Sequence, residues 1–78
     1  MPQVAAALPI LRVHLISLRD IVFQELDTAA DENGYPLERW PAGLIADDLV
    51  NYSPAVDDRD AVELMPYVEE WLQQRRAG

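Results

Sequence analysis

The chain has 78 residues, no cysteine, and fourteen acidic against six basic side chains, for a formal charge of −8. That length fits one domain, and the absence of thiols excludes a disulfide framework or a thiolate metal site. The charge disfavours direct binding to nucleic acid or to anionic membranes, where affinity comes from cations meeting phosphates.

Half of the residues are apolar, enough for a small core. The first element begins near Pro9, a residue suited to the first turn of a helix. From Ile10 to Ala30 the residues Leu11, Leu15, Leu18, Val22 and Leu26 recur at steps of three and four, which is one stripe of a helix. Ile16 and Phe23 lie about 100° round from that stripe. Leu11 to Leu15 also alternates like a strand, but the helical pattern runs on for five turns and is preferred. This wide apolar girth predicts burial on more than one side, against partner helices or a second copy.

Asp31-Glu32-Asn33-Gly34 ends the helix, with Gly34 in the left-handed conformation. Gly34 to Pro41 reads as a loop. Pro41 opens a short helix through Val50, with Leu44, Ile45, Leu49 and Val50 expected to face inward. Ser53-Pro54 is a cap and first-turn pair. The acids Asp57, Asp58 and Asp60 then sit where a helix N-terminus favours negative charge. From Ala61 to Arg76 a helical stripe holds Ala61, Leu64, Met65, Val68, Trp71 and Leu72, with Pro66 inside it. A proline there kinks the helix or starts a new one, because it lacks an N–H and crowds the preceding turn. Arg75 and Arg76 suit the negative end of the last helix dipole. The expectation is all-α: one small compact bundle over residues 1–78, with three main helices and the last broken or kinked at Pro66.

Few motifs carry chemistry. Placing Gly34 at the sixth position of a calcium loop puts Ala29 first and Trp40 twelfth, so both essential oxygen ligands are missing and capping is preferred. The carboxylates Asp47, Asp48, Asp57, Asp58 and Asp60 follow no metal-ligand spacing and read as a solvated face, so no metal or cofactor is expected. His14 is the single histidine, and Ser17, Thr28 and Ser53 are the only aliphatic hydroxyls. A catalytic triad is hard to build from these residues and no Gly-rich phosphate loop is present, so a non-enzymatic protein is expected. A secretory leader or a membrane span is not expected, since no basic start or run of about 20 apolar residues is present. The expected location is a cytoplasm.

The charge is concentrated. All fourteen acids lie between Asp20 and Glu70 with only Arg39 and Arg59 among them, leaving that stretch at −12, while Arg12, Arg19, Arg75 and Arg76 flank it. This pattern points to electrostatic recognition of a basic partner. The candidate contact residues are Asp47, Asp48, Asp57, Asp58, Asp60, Glu63, Glu69 and Glu70. Among the aromatics, Trp40 in its proline-flanked loop is the better surface anchor, and Trp71, on the stripe, reads as core. In bulk composition the chain is similar to phage-encoded inhibitors of defence complexes and to DNA-mimic proteins, which are short, acidic and cysteine-free. The expected partner is therefore a basic, nucleic-acid-binding surface of a larger protein, with neither direct nucleic-acid nor membrane contact. The alternative is a small helical homodimer with a structural or regulatory role, built on Leu15, Ile16, Leu18, Val22 and Phe23.

Overall fold

The computed structural model of the chain describes residues 16–78, and among them the secondary structure is entirely helical. Helix α1 spans Leu18–Asp27 and widens into one π-type turn over Thr28–Glu32. A short 3-10 turn, Leu37–Arg39, leads to α2 over Ala42–Tyr52. A second 3-10 turn, Pro54–Val56, leads to α3 over Ala61–Ala77.

The first helix is shorter than its periodicity predicts. Ile16 and Ser17 are not helical, and Ser17 is the N-cap, its Oγ accepting the Asp20 N–H at 3.1 Å. A serine hydroxyl satisfies one of the orphan amides of a first turn, so the chain gains by starting the helix here. Ile16, expected on the second apolar side, is half exposed. The expected turns from Ile10 to Leu15, and the strand alternative there, lie outside the described residues. At the other end Gly34 has φ +77°, the left-handed conformation expected of it. The Tyr35 N–H reaches back to the Ala29 carbonyl at 3.0 Å and closes the turn.

Helix α2 begins immediately after Pro41 and buries Ile45, Ala46 and Leu49. Leu44 does not face inward: it is 47% exposed. The inward arc is set by the 45–46–49 spacing, and a residue one step before Ile45 falls about 100° outside it.

Helix α3 is the hub. It packs against both α1 and α2, which share little direct contact with each other. It contributes Leu64, Val68, Trp71 and Leu72 to the core, opposite Val22 and Leu26 of α1 and Ile45, Ala46 and Leu49 of α2. The two 3-10 turns add Leu37 and Val56, both buried. Pro66 lies inside α3 and does not divide it. It is exposed, as is Val62, whose carbonyl would otherwise accept its N–H. The missing bond thus faces water, which can satisfy the carbonyl.

Candidate interaction surface

Charge pairing ties α1 and the 37–40 segment to α3. Helix α1 ends with Asp27, followed by Asp31 and Glu32, and has no basic residue in its last turn. Negative charge at a helix C-terminus is unfavourable. Arg75 of α3 supplies the compensation: it lies 2.6 Å from Asp31, 3.0 Å from Glu38 and 3.7 Å from Asp27. Its guanidinium carbon sits 4.7 Å from the centre of the Trp71 ring. Hydrogen bonds from Arg75 hold the Asp31 carboxyl below its usual range, and Asp31 in turn raises Arg75. Arg76 donates to the backbone carbonyls of Glu38 (3.0 and 3.1 Å) and Trp40 (3.3 Å). Both C-terminal arginines therefore clamp the 37–40 segment, a role beyond complementing the dipole.

At the other end of α1, Arg19 forms a forked pair with Glu70, at 2.8 to 3.1 Å, and lies 4.1 Å over the Phe23 ring. Its hydrogen bonds hold the Glu70 carboxyl low. Arg19 thus covers part of the second apolar side that the sequence offered to a second copy.

The predicted contact residues consequently divide. Glu70 faces α1 through Arg19, while Glu69 borders a groove with Pro41, Ala42, Leu72 and Arg76 on the α2 side. Glu63 is 2.8 Å from Arg59, one turn away, and Asp58 is 3.8 Å from the same arginine. Asp47, Asp48, Asp57, Asp60 and Glu69 have no arginine within ion-pair distance among the described residues. Asp47, Asp57 and Asp60 are exposed, and Asp48 is half-buried. The eight acids are distributed over α2, the 57–60 loop and two flanks of α3.

Trp40 and Asp48 are brought together in another way. Because α1 and α2 both rest on α3, a cleft of about 500 Å³ opens between them. Leu26, Leu37, Ile45 and Leu49 form its apolar floor, and Tyr35, Trp40 and Tyr52 stand around it. The Tyr35 and Trp40 ring centres are 6.4 Å apart and their planes are tilted by 54°, so the two rings form a corner. Two carboxylates reach the cleft, Glu25 from α1 and Asp48 from α2. Glu25 accepts a hydrogen bond from the hydroxyl of Ser53, which caps the C-terminus of α2 and pins the two walls together at one end. The sequence singles out Trp40 and Asp48 but not Glu25, because a contact across 28 residues leaves no local periodic signal.

Among the described residues no helix is long and apolar enough to cross a membrane. Comparison with protein-family models, curated proteins and solved structures finds no match to this chain.

Proposed function

We propose that this protein is a non-enzymatic acidic interaction module that docks on a basic surface of another cytoplasmic protein. Its form would be an inhibitor of a nucleic-acid-binding complex, similar in action to phage anti-defence or DNA-mimic proteins. The observation that supports this reading most is the aromatic cleft of Trp40, Tyr35 and Tyr52 with the half-buried Asp48 at its edge. Aromatic anchors at the centre of a contact supply affinity, and surrounding carboxylates supply steering and partner choice. Asp47, Asp57 and Asp60 provide that outlying charge, since no arginine among the described residues neutralises them. Inhibition would follow from occupying the cationic groove that phosphates otherwise fill, with encounter accelerated by the field of a −8 chain.

The test is a pull-down from lysate at low and high salt, alongside a triple charge reversal, D47K/D57K/D60K. A partner held by the wild type at low salt, released by salt and lost by the folded variant supports the reading. The captured protein should also lose nucleic-acid binding in the presence of the wild-type chain. A partner retained equally by both forms at all salt concentrations counts against it.

A further inference from the structure

The fold contains the same three-part unit twice. Arg19 lies over the Phe23 ring and is paired with Glu70. Arg75 lies over the Trp71 ring and is paired with Asp31. In each, a guanidinium rests on an aromatic face while a carboxylate accepts its N–H groups. Arginine suits this unit because its flat, weakly hydrated cation stacks and forks at once, which a lysine ammonium cannot do.

The α1–α2 cleft presents two parts of that unit from other residues. The Tyr35–Trp40 corner offers aromatic faces, and Asp48 offers the carboxylate. Glu25 is tied to Ser53 through one carboxylate oxygen, while Asp48 makes no side-chain hydrogen bond among the described residues and is the freer of the two. No arginine among the described residues lies within ion-pair distance of Asp48. We infer that this cleft seats an arginine side chain of a partner protein, its guanidinium stacked against the Tyr35–Trp40 corner and paired with Asp48. The inference rests on the docking reading above and narrows it to one residue type at one position. Apolar neighbours of the arginine would lie against Tyr52 and Pro54, which are exposed at the cleft. The carbonyl of Trp40 is held by Arg76, so the anchor is positioned before the partner arrives.

The experiment uses the full chain and two capped peptides of equal charge, hexa-arginine and hexa-lysine. Binding is followed at low salt by titration calorimetry and by the two tryptophan indole N–H signals in NMR. The expected result is tighter binding of hexa-arginine than hexa-lysine by threefold or more, with the Trp40 signal shifting and the Trp71 signal still. D48N should weaken hexa-arginine at least fivefold, and W40A should do the same. W40F keeps a ring and should retain most of the affinity if W40A proves poorly folded. Equal affinity for the two peptides, or D48N binding like the wild type, overturns the arginine seat. The D57K/D60K variant separates the two readings. If D57K/D60K loses the peptide while D48N keeps it, acidic docking stands and the seat falls; if neither the wild type nor R12Q binds either peptide, both fall. A full chain that binds only after R12Q substitution would identify its own arginine as the occupant and overturn the proposal. Self-association abolished by D48N in sedimentation would identify a second copy and do likewise.

Discussion

The Trp71 indole N–H donates to a carboxylate oxygen of Asp27 at 2.9 Å. A core residue of α3 thereby binds the last residue of α1, at a helix end where a carboxylate is otherwise disfavoured. Trp71 is 2% exposed, so its N–H would be a costly orphan without Asp27. Arg75 completes the arrangement by stacking on the indole and facing Asp27, Asp31 and Glu38 together. One corner of the bundle is therefore held by a polar network as well as by apolar burial.

Arg75→Ala should destabilise by about 1 to 2 kcal/mol, since it removes the stack on Trp71 and leaves three carboxylates facing one another. In a domain this small each kcal/mol lowers Tm by roughly 4–8 °C. Thermal unfolding followed by circular dichroism measures it; an unchanged Tm would show the network to be energetically silent.

Ser17→Ala discriminates by sign. As an N-cap, Ser17 is worth about 1 kcal/mol, and its loss should lower stability. Inside a longer helix running from Ile10, the same change would stabilise slightly, because alanine is the better helix former. Urea midpoints of the two proteins decide between these outcomes.

Pro66→Ala should raise stability by about 1 to 3 kcal/mol, by restoring an N–H for the Val62 carbonyl and removing the ring's crowding of the preceding turn. Both residues are exposed, so no packing is lost. Denaturant titration reads the gain, and a loss would mean that Pro66 holds a backbone shape that the bundle needs.

Acid should erode the Arg19–Glu70 and Arg75–Asp31 pairs. Both carboxyls are held below their usual values in the folded chain by hydrogen bonds from arginine. Their stabilisation is therefore fully present above the unfolded carboxylate range of about 4, and is lost as pH falls from there toward the depressed folded values. Protonation of the other acids relieves general repulsion at the same time, so the difference between wild type and Arg19→Gln is the informative quantity. That Tm difference should be largest near pH 7 and shrink below about pH 4. A difference independent of pH would remove the ion pair from the account.

Charge reversal should separate the acids into two groups. Asp47→Lys, Asp57→Lys and Glu69→Lys should leave Tm within a few degrees of wild type, because these side chains have no arginine partner among the described residues. Glu70→Lys places a cation against Arg19 and should lower Tm clearly. Parallel melts of the four variants provide the check, and equal effects would deny the distinction.

Much of the architecture was legible in the chain. Pro41 and the apolar residues through Val50 mark α2, which runs on to Tyr52, the stripe from Ala61 to Arg76 marks α3, Gly34 marks the turn after α1, and the position of Trp71 on a stripe assigns it to the core. These features depend on neighbours within one or two turns, so periodicity and residue type carry them. The start of α1 at Leu18 was not read from the chain, because the apolar stripe from Ile10 onward outweighed the weaker capping signal of Ser17, whose Oγ accepts the Asp20 N–H.

What only the tertiary structure decided is which carboxylates are spent internally and which face outward. Arg19 meets Glu70 across 51 residues, Arg75 meets Asp31 across 44, and Ser53 meets Glu25 across 28. No local pattern encodes such meetings, because Coulomb pairing follows spatial proximity and every acid in the 20–70 stretch is locally equivalent. The cleft has the same origin. It exists because α1 and α2 each find their burial on α3 instead of on one another, and that gap places Trp40, Tyr35 and Asp48 around a single space.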